Sequence, residues 1–185
     1  MHDILTQPIE GDGRPMRFAE NHDMSRAAAK WGLGGSKVAH TVVMTSRGYA
    51  MMYGGGEVGF APDANVQWSQ SSPIIWDYTC PLFEYFPKLI NIRKQYLSSD
   101  LDQYWIANDN SAVYSSLAVN AGNRLITVAN FSGAATTVNL TLTLPELGTI
   151  SSLTDLLTNQ AIPYAGGGSL PLTLDGYGTV ILLIQ

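Results

Sequence analysis

Asn21, His22 and Asp23 place an amide, an imidazole and a carboxylate side by side, directly after the apolar lead Phe18-Ala19. An apolar lead running into ionisable side chains reads as a strand delivering chemistry at its C-terminal end. That is how a (β/α)8 barrel works: side chains at the carboxyl face of its strands converge on one pocket. The same three residues also fit a polar turn that caps a helix beginning near Met24, with Asp23 as the cap. Three residues alone do not separate these readings.

A second stretch bears on the choice. Arg47-Gly48-Tyr49-Ala50-Met51-Met52-Tyr53-Gly54-Gly55-Gly56-Glu57-Val58-Gly59 is another apolar strand that ends in glycines and a carboxylate. Strand, helix and strand make one barrel step. Together the two stretches resemble the α-amylase superfamily, glycoside hydrolase family 13. Its seventh strand ends in Phe-x-x-Asn-His-Asp and its eighth in Tyr-x-Gly-x-Glu-x-Gly. Phe18, Asn21, His22, Asp23, Tyr53, Gly55, Glu57 and Gly59 match. There are departures: Arg47 and Ala50 stand where the family usually has prolines, Gly54 where it has a second Tyr, and Met24-Ser25 where it has Thr-Pro before the matched Arg26.

The resemblance implies an α/β plus all-β fold, the C-terminal portion of a (β/α)8 barrel (1–97) followed by an antiparallel β-sandwich (98–185). It also implies retaining hydrolysis of α-glucans such as starch and maltooligosaccharides. That chemistry needs a nucleophilic carboxylate and an acid/base about 5 Å apart. Asp23 would be a third carboxylate that grips sugar hydroxyls more tightly as the ring flattens, a differential binding of the transition state. His22, Asn21 and Arg26 are the matched substrate-binding positions, with His22 on the same sugar ring. Arg26 and Glu57 also read as structural, and Asn21 as orienting its neighbours.

The family's nucleophile and acid/base lie on its fourth and fifth strands, for which only a short segment before Phe18 remains. Without them neither step has an agent, and positioning by His22 and Asp23 does not replace them. The chain alone is therefore expected to be inactive, a piece whose partners are the missing N-terminal barrel portion and an α-glucan. Cut barrel strands leave open edges, so self-association is expected as well. The competing class is a carbohydrate-binding or structural accessory module, with Tyr104 and Trp105 as a sugar-stacking platform. No cofactor is expected in the chain, and no metal ligand set; calcium is compatible with the intact parent.

Composition agrees with a globular protein. Of 185 residues 45% are hydrophobic and 14% charged, and the net charge of −5 makes nucleic acid and anionic membrane surfaces poor partners. Cys80 is the single cysteine, which excludes an intrachain disulfide; beside Pro81 it reads as a small buried residue. No run approaches the ~18 apolar residues of a membrane span. The chain gives no compartment, although a secreted or periplasmic parent fits the resemblance.

Several elements must position the site. Met1 to Met16 reads as loop, and Glu10 and Asp12 on it as solvated. Arg26 to Trp31 favours helix until Gly32, Gly34 and Gly35, and a second helix starts with Ser36 as N-cap. Its apolar stripe is Val38, Val42 and Thr45, which leaves His40 at the surface or rim. Tyr49 to Tyr53 is the buried strand. In the connection from Phe60 to Asp77, Trp68 could stack on sugar, but with Trp76 it reads better as pinning the loop. Leu82 to Arg93 is helical, and Pro87 either opens or kinks it. Past a boundary near Leu97–Leu101 the pattern turns to strands: Ala112–Val119, Arg124–Phe131, the alternating Thr136–Leu144, and Thr179–Ile184. The sandwich is expected to fold without the residues before it.

Overall fold

The computed structural model describes residues 13–62 and 73–185; Glu10, Asp12 and Trp68 lie outside them. Two short strands, β1 (Met16–Arg17) and β2 (Tyr49–Ala50), pair in parallel with Met16 opposite Tyr49. Parallel neighbours need a crossover, and α1 (Ala27–Thr45) supplies it. This is the expected barrel step, but the strand expected to be buried over Tyr49–Tyr53 is only Tyr49–Ala50 with Tyr49 exposed, and there are three further local differences. The helix begins at Ala27 rather than near Met24. It is broken only at Gly32 (φ 69°, ψ 175°), so Gly34 and Gly35 are helical and Ser36 is buried inside the second segment instead of capping it. His40 is 1% exposed, not at the rim.

The second helix, α2 (Pro81–Tyr96), is opened by Pro81 at its first turn, where a missing N–H costs nothing, while Pro87 lies inside it. Arg93 of α2 donates to the carbonyls of Met44 (2.8 Å), Ser46 (3.0 Å) and Gly48, acceptors at and beyond the end of α1 that have no helical donor. Cys80 is buried, as expected.

The rest is strand. β3 (Asp102–Trp105), β5 (Val113–Asn120), β6 (Asn123–Asn130), β11 (Thr179–Ile184), β8 (Leu153–Asp155) and β9 (Gln160–Ile162) form one antiparallel sheet in that order. A smaller sheet runs β10 (Ser169–Leu174), β7 (Thr136–Thr141), β4 (Ala107–Asn108). Pro171 sits in β10, an edge strand, where a lost ladder donor is tolerated. Between the sheets lies the sandwich core of Leu117, Ile126, Val128, Val138, Leu140 and Leu182 with their neighbours.

The large sheet is buried on its other face too. Side chains alternate along a strand, so Leu117 and Val119 point into the sandwich while Ala118 packs with Met44, Leu89, Ile92, Leu97 and Leu101 of the helical half. Leu125 and Ile181 do the same from β6 and β11. The Tyr85 hydroxyl ties α2 to Thr41 of α1 (2.7 Å) and to Thr179 of β11 (2.8 Å). The inter-sheet core thus lies wholly beyond the boundary near Leu97–Leu101, while a second core is shared across it and includes both boundary leucines. A free-standing sandwich would expose that second face of the large sheet.

Tyr104 packs toward the sandwich core and Trp105 toward the helices. Adjacent strand residues face opposite ways, so the two cannot form one stacking platform. Among the described residues, no helix is long and apolar enough to cross a membrane.

Candidate functional site

At the C-terminal end of β1 the chain enters a loop closed at its neck by a buried ion pair. Glu20 is 1% exposed and Arg26 9%. Arg26 Nε donates to Glu20 Oε2 (3.2 Å) and Nη2 to Oε1 (3.1 Å). Nη2 also donates to the Gly54 carbonyl beyond β2 (2.8 Å), and the guanidinium lies over the rings of Tyr53 (4.7 Å) and Phe60 (5.3 Å). Arg26 is thereby held to the end of β2 as well as to the end of β1.

Glu20 does more than pair. Its Oε2 accepts from the Ala27 N–H (2.5 Å), the first helical donor of α1, at a helix whose N-cap residue makes no side-chain bond of its own. A carboxylate at a helix start is favoured by both the free donors and the dipole. The capping assigned to Asp23 in the alternative reading is therefore done by Glu20. The glycine run after β2 fits around this pair: a Cβ on Gly56 would lie 2.6 Å from Glu20 Oε1, closer than real side chains approach. Gly55, at φ 91°, gives its N–H to Glu57 Oε2 (2.8 Å), so Glu57 fastens the turn.

The tip of the loop carries Asn21, His22 and Asp23. Asn21 Oδ1 accepts from the Asp23 N–H (2.9 Å), an Asx-turn that sets the path between them. The side chains of His22 and Asp23 are 72% and 55% exposed, with Nε2 3.4 Å from Oδ2. Imidazole and carboxylate stand side by side in solvent, offering a donor or acceptor and an anionic acceptor to a ligand arriving over the strand ends. Arg26, in contrast, points inward.

Two participants had weak signals in the sequence. Glu20 looked like one more polar residue of the cluster; its burial depends on Arg26 folding back across the loop. His40 Nδ1 donates to the Ser36 carbonyl (2.8 Å), its ring tilts against Phe86 at 4.7 Å, and its buried Nε2 has no hydrogen-bond partner among the described residues. Burial, the largest influence, pulls its pKa below the ordinary histidine value, against smaller upward pulls from the Ser36 carbonyl and Glu20. Trp76, expected to pin its loop, is 49% exposed and stacks on Tyr78. Asn130, in one of two sequence matches to the glycosylation pattern, is buried with its amide donating to the Ala134 and Asp175 carbonyls. Among the described residues no three of His, Cys, Asp and Glu gather to hold a metal ion.

No family model and no curated protein matches this sequence. Solved structures match its fold. The chain is similar to a maltogenic α-amylase, AmyB, from Thermotoga neapolitana, with a TM-score of 0.76 at 20% identity, over 91% of this chain and 41% of that one. It is similar to AmyP in complex with maltose (TM-score 0.76, 19% identity, 93% and 41%). A third likeness is to the α-amylase from Geobacillus thermoleovorans complexed with acarbose (TM-score 0.75, 18% identity, 92% and 38%). The chain spans about 40% of the length of these proteins. Its fold is that of the C-terminal part of α-amylase-type enzymes, barrel end and β-sandwich, as the two motifs led us to expect.

Proposed function

We propose that this chain is the C-terminal part of an α-glucan-active glycoside hydrolase of the α-amylase type, and that it contributes Asp23 and His22 to a retaining active site. One observation carries the reading: an exposed His22–Asp23 pair at the C-terminal end of a parallel strand, on a loop whose neck is locked by Glu20 and Arg26. In this reading the remainder of the barrel supplies the nucleophile and the acid/base. Asp23 takes hold of sugar hydroxyls as the ring flattens, so its interaction is strongest at the barrier top. His22 orients the same ring. Arg26 acts through Glu20, as a positioning residue.

The test uses the chain joined to a barrel portion that carries both missing carboxylates. Asp23→Asn should lower kcat and kcat/KM together by on the order of 10²-fold or more, as expected for an interaction made only in the transition state. Full turnover in that variant would refute the assignment.

Met16 and Tyr49, opposite one another in the β1–β2 pair, are 59% and 56% exposed. In the reading proposed here the missing strands cover them. Taken by itself, the chain should dimerise or aggregate through these edges, and sedimentation showing a monomer across a wide concentration range would count against the truncated barrel.

A further inference from the structure

Away from the loop tip, α1 and the sandwich enclose a cleft of about 510 Å3, lined by Lys30, Trp31, Gly35, Ala39, Phe131 and Tyr177. Its volume lies within the roughly 300–1,000 Å3 of small-molecule sites, and its make-up, aromatic and apolar apart from the polar ends of Lys30 and Tyr177, is theirs as well. Gly35 and Ala39 are one turn apart on α1 and make a low floor, since a Cβ on Gly35 would come 2.5 Å from Trp31 Cβ. Phe131 and Tyr177 pack against the buried Val38, Val42, Tyr114 and Ala129, so their mounting is rigid.

Tyr177 is held with particular firmness. A Cβ on Gly34 would lie 2.3 Å from its Cδ2, and one on Gly133 would lie 3.3 Å from its Cε2, so this ring edge is seated between α1 and the β6–β7 turn. Its backbone adopts φ 54°, an uncommon conformation for a bulky residue, while its N–H donates to the Ser132 carbonyl (2.8 Å). On the opposite side Trp31 is 40% exposed, with the Lys30 ammonium 5.2 Å from its ring.

We infer that this cleft binds one hexopyranose unit of an α-glucan oligosaccharide, as a site separate from the His22–Asp23 tip. Aromatic rings suit the C–H face of a pyranose, and Lys30 at the rim supplies N–H donors to hydroxyl oxygens. Among the described residues no carboxylate lines the cleft, which matches a neutral, hydroxyl-bearing ligand. A concave recess of this size seats a single ring better than a flat protein surface. The choice of an α-glucan rests on the function proposed above; the choice of a sugar rests on the cleft.

Calorimetric titration of the 185-residue chain with maltotriose, cellotriose and xylotriose tests both. Saturable maltotriose binding is expected. Trp31→Ala should weaken it about tenfold or more by removing a stacking face, and Ala39→Leu should do so by filling the floor while leaving every aromatic in place. Circular dichroism checks that both variants are folded. Maltotriose binding that both folded variants retain at full strength, or no binding of any of the three sugars, would overturn the site. Binding of cellotriose or xylotriose alone, lost in both variants, would uphold the sugar cleft and sink the α-glucan reading.

Discussion

Glu20 and Asp23 are carboxylates three residues apart on one loop, and the structure treats them oppositely. Glu20 is sealed from solvent and takes two donors from Arg26 and one from the backbone of α1. Asp23 stands in solvent with His22 beside its carboxylate. The buried carboxylate determines where the loop goes; the exposed one is free to meet a ligand. Charge alone tells nothing of which is which, because the role follows from what folds back over each.

The largest effect should come from breaking the neck. Glu20→Ala leaves Arg26 buried and unpaired and removes the cap of α1, so thermal or denaturant unfolding should show a loss of about 3–5 kcal/mol. A change under about 1 kcal/mol would mean that the pair does not hold the loop. Glu20→Gln should retain part of the stability by keeping an acceptor for Ala27.

Acid should loosen the same neighbourhood by another route. His40 packs beside the pair, with Glu20, Arg26 and Glu57 as the charges acting on it. Its folded pKa lies below the unfolded value of about 6.5, so the unfolded chain takes up the proton first. The stability of neutral His40 is complete above that value and is lost as pH falls through it toward the folded pKa. Unfolding midpoints measured from pH 7.5 down to 5 should drop, and His40→Phe should flatten the slope. Equal slopes in the two proteins would take His40 out of the account.

The smallest effect belongs to the tip. Because Glu20 caps α1, Asp23→Ala should change stability by no more than about 0.5 kcal/mol, as for other surface positions. A loss near 1–2 kcal/mol would restore Asp23 as a cap and erase the contrast with Glu20.

The sequence was most informative where pattern and environment coincide. Val138 and Leu140 alternate with exposed Thr137, Asn139 and Thr141, so β7 could be read with its faces. The two strand-end motifs, one closing in Asn-His-Asp and the other in glycines and Glu57, gave the barrel step and the tip residues. What escaped notice depends on contacts between distant segments. Ser36 looks like an N-cap until Gly32 is seen to make the break, and His40 looks peripheral until α2 places Phe86 against it. β5 and β6 lack alternation, because helices cover the face that the sandwich leaves. Tyr104 and Trp105 looked like a pair only until the period of a strand was applied to them.

The doubly covered sheet has a kinetic consequence. Amides in the middle of β5, β6 and β11 are paired on both sides within the sheet, with apolar layers above and below. They can exchange with deuterium only when both layers separate, so they should be the slowest in the chain and share one opening free energy. Amides of α1 and α2 that face this sheet should report the same event, making the helices and the sandwich a single cooperative unit.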